Sequence, residues 1–138
     1  MKKLAIILTF AAVLTGCATV SEKPATQPRK IAVQMYSLNR FTLEEALEKL
    51  KPLKIDTVEC YPGQRLSAKY PKAKVGPMLN AEERAYMKKL LSDAGVKMRS
   101  FGVVNVNKLD FSQIDPLFKF AKEMGAERIL TESAVYFF

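Results

Sequence analysis

The chain has 138 residues, 22 Lys or Arg against 14 Asp or Glu and a net charge of +8, a length that allows one small domain. It contains no His, which excludes histidine from any metal-binding or proton-transfer role in this chain. The basic balance tolerates anionic ligands or an anionic membrane surface, but the lysines are scattered along helical stretches instead of forming one stripe with interleaved aromatics, which disfavours nucleic acid as a partner.

Met1-Lys2-Lys3 is a short basic start, and residues 4–14 are apolar over a length that suits a signal-peptide core and is too short for a permanent membrane span. The Leu14-Thr15-Gly16-Cys17 sequence that follows resembles the lipobox of bacterial lipoproteins. The resemblance implies cleavage before Cys17, lipidation of that cysteine and anchoring by several acyl chains. Ala18 follows without an aspartate, which by analogy with Gram-negative sorting implies the periplasmic side of the outer membrane. Removal of residues 1–16 takes away two lysines and no acid and leaves a net charge of +6. Residues 17–29 then read as a lipidated flexible tether, and the domain occupies residues 30–138. With Cys17 lipidated, Cys60 is the remaining thiol; no intramolecular disulfide forms, and its apolar neighbours predict a buried, inert cysteine.

From Lys30 onward the hydrophobic period alternates between short β-like runs and helical ones, the pattern of repeated βα units around a parallel sheet. The first strand is expected over residues 31–37. Thr42 and Glu45 make a capping box for a helix with Ala46, Leu47, Leu50 and Leu53 on its apolar face, and Pro52 should kink or end it. A second strand spans residues 55–60 and stops at Tyr61-Pro62-Gly63; a basic, turn-rich loop continues to Leu79. Asn80 and Glu83 start a second helix, which buries Met87, Leu90, Leu91 and Ala94 and ends at Gly95. Residues 96–104 form a third strand. The third helix is expected to be capped near Ser112 and to bury Ile114, Leu117, Phe118 and Ala121 before Gly125, and residues 126–132 give a fourth strand.

This order predicts an α/β fold: a partial (β/α)8 TIM barrel of about four βα units with parallel strands, β1-α1-β2-α2-β3-α3-β4. A half barrel leaves open sheet edges that favour self-association, and the apolar Tyr136-Phe137-Phe138 reads as an interrupted sequence. The alternative is a small doubly wound open sheet, which needs a reversal of strand order and usually a glycine-rich first turn; residues 38–41 contain no glycine.

Ile-Ala-Val-Gln-Met-Tyr-Ser-Leu at 31–38, Phe-Thr-Leu-Glu-Glu-Ala-Leu at 41–47 and Val-Glu-Cys-Tyr-Pro-Gly-Gln at 58–64 resemble the xylose-isomerase-like sugar phosphate isomerases and epimerases. Asn-Ala-Glu-Glu-Arg at 80–84, Phe-Gly-Val-Val at 101–104 and Phe-Ala-Lys-Glu-Met-Gly-Ala at 120–126 extend the resemblance over nearly all of residues 30–133. It implies a barrel that, when intact, interconverts keto-sugars or aldose and ketose forms by metal-assisted proton transfer, with a sugar or sugar phosphate as partner. The divalent metal, Mn, Mg, Co or Zn, would be held by Glu, Asp, His and Glu of the later strands, so its usual ligands are absent from this chain and no metal ligand is assigned. The chain then reads as an incomplete fragment. Two other functions stay open: a lipid-anchored carbohydrate-binding or scaffold half barrel without catalysis, and a sugar dehydratase or lyase of the same superfamily.

Strand carboxyl ends form the mouth of a (β/α) barrel, so polar residues there are the site candidates. Glu59 and Glu132 are the catalytic candidates, since enolisation beside a carbonyl needs carboxylates. A glutamate at the position of Glu59 faces the sugar pocket in the family that the chain resembles. Tyr36 offers a ring to a sugar face, Asn105 an amide to a hydroxyl, and Arg65 a cation from a long basic loop of the kind that serves as a lid or stays solvated.

Overall fold

A computed structural model describes residues 31–106 and 109–132. The signal segment, Cys17 and the tether lie outside the described residues, as does the aromatic segment 136–138. Strands β1 (Val33–Gln34), β2 (Thr57–Cys60), β3 (Lys97–Phe101) and β4 (Arg128–Ile129) are joined by helices α1 (Leu43–Leu50), α2 (Ala81–Asp93) and α3 (Phe111–Glu123). All neighbouring strands are parallel, in the order β1-β2-β3-β4. A sheet that adds each new strand to the same edge has no switch point, which rules out the doubly wound alternative for this unit.

The strands are shorter than the hydrophobic pattern suggests. β1 ends after Gln34, and Met35–Leu38 form a single 3-10 turn, so Tyr36 sits on that turn and not in the strand. Met35 is buried there while Tyr36 is exposed, a division that a short coil makes as readily as a strand does.

Each helix starts with a reciprocal cap. Thr42 with Glu45 and Asn80 with Glu83 close capping boxes where the spacing predicts them. For α3 the cap is Asp110, paired with Gln113, and not Ser112; the Ser112 hydroxyl donates to the Asp110 carboxylate instead. The carboxylate accepts better from the helix amide than a hydroxyl does, and it favours the positive end of the helix dipole. After Leu50 the chain tightens into a 3-10 turn at Lys51–Leu53, where Pro52 ends the α-helix, and Lys54 reverses it with φ of 54°.

The face of α3 is also rotated from the expected one. Leu117, Phe120 and Ala121 are buried against the sheet, whereas Phe118 is 60% exposed. Positions 117, 120, 121 and 124 lie on one side of a helix, and position 118 lies about 100° away from 117. The Phe120 ring meets Phe101 of β3 edge to face at 5.1 Å between centroids. Around this pair the core collects Leu43, Leu47, Val58, Met87 and Met98.

The loop after β2 is not a plain solvated loop. Leu66, Ala73 and Val75 are buried, and Arg65 bridges Lys74 in an antiparallel pairing. Val75 N donates to Gln64 O at 2.8 Å and Leu66 N to Ala73 O at 3.0 Å, so the segment doubles back as a small hairpin. Its carbonyls also close the start of α1: Leu43 N donates to Arg65 O and Glu44 N to Leu66 O. The far end of the loop is held by Arg84 of α2, which donates to the carbonyls of Leu79 and Pro77 and pairs with Glu123 of α3 at 2.7 Å.

Two measurements test this packing. At Gly102 a Cβ would lie 2.6 Å from the carbonyl oxygen of Leu130, so β3 and β4 approach through the missing side chain. Gly102→Ala is expected to lower stability by about 1–3 kcal/mol in equilibrium denaturation, and an unchanged midpoint would refute the close approach. Hydrogen bonds from Lys88, and after it Arg84, hold the Glu123 carboxyl below its ordinary value of 4.5. A depressed carboxyl contributes stability that is present above 4.5 and lost as pH falls through its folded value. Melting temperature is therefore expected to fall on acidification below that pH, and less steeply in Glu123→Gln.

Candidate functional site

The site follows from the two faces of the sheet. Successive strand residues point to opposite sides, and on β2 Val58 and Cys60 are buried in the core beneath the helices while Glu59, between them, is only half-buried. The register places Gln34 beside Glu59, Glu59 beside Ser100, and Ser100 beside Arg128. A polar row thus crosses the sheet on the face away from the helices. An irregularity between Val58 and Glu59 sets it: Val58 pairs with Met98 but Glu59 with Ser100, so β3 carries an extra residue, Arg99. The slip keeps Met98 and Phe101 on the core face and brings Ser100 onto the polar one. Its hydroxyl donates to Glu59 Oε2 at 3.0 Å.

Above this row, at the strand ends, Tyr36 and Tyr61 meet edge to face at 5.1 Å. Burial pushes the Tyr61 hydroxyl above its ordinary 10.0, Tyr36 adds to the shift, and the nearby Arg65 guanidinium opposes it. Arg65 is anchored to the rim by an Nη2 bond to the Arg40 carbonyl at 2.9 Å. At this strand-end mouth Tyr36 pairs with Tyr61, which lies near Arg65, and Glu59 is held by Ser100 on the polar row.

Of the residues singled out in the sequence, Glu59, Tyr36 and Arg65 come to this mouth. Asn105 is exposed in the loop after β3, and Glu132 is exposed beyond the end of β4. Ser100, Gln34, Arg128 and Tyr61 escaped sequence reasoning. For the first three the missing signal is register, which no single strand carries. Tyr61, by contrast, directly follows β2 and was legible as a strand-end aromatic.

Among the described residues no group of three or more Cys, Asp or Glu is placed to hold a metal ion. Glu59 is the one carboxylate in the row and Arg128 brings a cation to the same face, so this donor set does not fit a divalent ion. The described helix starts offer no open anion site either, because Glu45, Glu83 and Gln113 fold back onto the caps.

Burial pushes the Cys60 thiol up to about 12, with Glu59 adding to the shift. In a Cys17→Ser chain, Cys60 is expected to resist a thiol reagent at neutral pH until the protein unfolds; rapid labelling of the native state would contradict its burial.

No family model matches the chain, and no curated protein does. Solved structures do. An uncharacterized protein from Parabacteroides distasonis aligns over 74% of this chain and 42% of its own, with 25% identity and a TM-score of 0.68. A xylose isomerase domain containing protein from Salmonella typhimurium aligns over 72% of this chain and 35% of its own, at 17% identity and a TM-score of 0.53. A sugar phosphate isomerase/epimerase from Parabacteroides distasonis aligns over 83% and 42%, at 16% identity and a TM-score of 0.53. The chain thus spans less than half the length of each of these three structures. Four parallel strands in sequential order, flanked by helices and superposable on these proteins, give the chain the fold of a partial (β/α)8 barrel.

Proposed function

We propose that the mouth above β1–β3 binds a polyhydroxylated ligand, a sugar or sugar derivative, as one part of an isomerase- or epimerase-like barrel. The observation that carries the reading is the Glu59–Ser100 hydrogen bond at 3.0 Å, set beneath the Tyr36–Tyr61 pair at the strand ends. Ser100 occupies one side of the carboxylate and orients it. The remaining lone pairs accept from ligand hydroxyls, and the rings offer apolar surface to the sugar's C–H face. The phosphate of a sugar phosphate finds no helix start open to it among the described residues, which supports a hydroxyl-directed role for this part of the site.

The reaction assigned to the whole barrel is proton transfer at a carbon beside a carbonyl. Glu59, at the end of β2, is our candidate to take or return that proton, and Glu132, beyond the end of β4, is the second acid/base candidate. Glu59 supports a dehydratase or lyase step as well, because elimination from an oxidised sugar begins with the same proton removal. For residues 1–29 the proposal is export, cleavage before Cys17 and lipid anchoring at the cell envelope, with residues 17–29 as tether; the support is the order of basic start, apolar core and Leu14-Thr15-Gly16-Cys17.

The test is ligand-observed NMR on the 138-residue chain with free keto-sugars, combined with solvent-deuterium incorporation at the carbon beside the carbonyl. Binding is expected to weaken about tenfold or more in Glu59→Gln, the loss of a charge-assisted hydrogen bond. Equal saturation of the chain and of Glu59→Gln by every keto-sugar tried would sink the reading.

A further inference from the structure

The hairpin after β2 sets two cations face to face. Gln64, Leu66, Ala73 and Val75 are buried, so Arg65 and Lys74, between them, are left on the exposed side. The bonds that close the bridge run from Leu66 N to Ala73 O and from Val75 N to Gln64 O, one residue beyond the Arg65–Lys74 pair on either side. That is the narrow kind of antiparallel pair, with Cα atoms about 4.5 Å apart and side chains close, and like charges in it destabilise a hairpin.

The ion pairs among the described residues engage Lys51, Arg84, Lys88, Lys89, Arg99 and Lys119, and leave out both Arg65 and Lys74. The acid that feels the Arg65 charge is Glu45, and its Oε2 is already taken by the Thr42 amide at 2.8 Å and the Thr42 hydroxyl at 3.0 Å. Arg65 is itself held in place: Nη2 donates to the Arg40 carbonyl at 2.9 Å, and the other guanidinium donors stay in the same fixed plane. The guanidinium also acts on the Tyr61 hydroxyl, whose ring packs on Tyr36. The unmatched positive charge therefore lies at the edge of the mouth.

We infer that Arg65 and Lys74 form an anion subsite for a carboxylate carried by the ligand of the mouth, which makes that ligand a sugar acid. The inference rests on the sugar-binding reading of Glu59 and narrows its ligand class. The planar guanidinium fork matches the paired oxygens of a carboxylate, the Lys74 ammonium adds a second cation, and the bound charge relieves the repulsion between the two side chains. A phosphate is held best by a helix start, and the described starts are closed by their own caps. The hydroxyls of the sugar then lie toward Glu59, with the carboxylates of ligand and protein at opposite ends of the ring.

The experiment is NMR titration of the 138-residue chain with glucuronate, with its neutral isostere glucuronamide and with a hexose phosphate. Glucuronate is expected to bind about tenfold tighter than glucuronamide, as charge-assisted hydrogen bonds do against neutral ones, and the preference should shrink as salt is added. It should be lost when Arg65→Gln and Lys74→Gln are combined, and survive in Lys72→Gln, which removes a cation from the same loop outside the pair. Lys74→Gln alone should leave the melting temperature unchanged or raised, because the like-charge contact is relieved; a lower one would make the pair structural and overturn the subsite. Equal affinities for glucuronate and glucuronamide, both weakened by Glu59→Gln, overturn the subsite alone. A hexose phosphate that binds as tightly as glucuronate overturns the carboxylate. Indifference of all these ligands to Glu59→Gln overturns the sugar reading and the sugar acid with it, even where glucuronate still depends on Arg65 and Lys74.

Discussion

The two-faced character of β2 is the constraint on which the rest depends. Val58 and Cys60 are locked beneath the helices, so Glu59 has only the opposite face to occupy. A shift of one residue would bury a carboxylate in the core and expose two apolar side chains, a cost far above what a small domain tolerates. The candidate chemistry is therefore positioned by the packing on the other side of the sheet. The extra residue in β3 completes this arrangement: it lets Met98 and Phe101 both remain in the core while Ser100 turns toward Glu59.

The helix layer is tied to the sheet by polar brackets as well as by apolar packing. Arg84 joins the β2–α2 loop, α2 and α3 in one cluster, and its guanidinium lies 5.6 Å from the centre of the Phe120 ring. Tyr86 of α2 donates to Glu44 of α1 at 2.9 Å, while Lys69 lies over the Tyr70 and Tyr86 rings. These contacts convert a basic, turn-rich stretch into a fixed rim. One oddity remains inside it: the Gln64 side chain is 1% exposed, and neither end of its amide has a hydrogen-bond partner among the described residues.

The order of elements was legible in the sequence because it rests on local physics. Alternating apolar runs, the Thr42 and Asn80 capping boxes and the stop at Pro52 act within a few residues and need no tertiary partner. Where two local solutions compete, the sequence misled. Asp110 and Ser112 both suit a helix start, and the charge decides between them. Phe118 and Phe120 both suit an apolar face, and the direction from which β3 presents Phe101 decides between those. The loop of residues 64–79 reads in sequence as a lid or a solvated loop because of its basic residues, while the buried side chains of Leu66, Ser67, Ala73 and Val75 pack it down.

The sequence by itself determined the succession of βα units, the apolar character of the helix faces and the presence of acids and aromatics at the strand ends. Each of these follows from residue type and spacing along one segment. Only the tertiary structure decided which strands are neighbours, that Ser100 meets Glu59, and that Tyr61 meets Tyr36. Those are relations between segments 25 to 41 residues apart. They are fixed by strand register and by the side from which each helix packs, quantities that the pattern within a single segment does not contain.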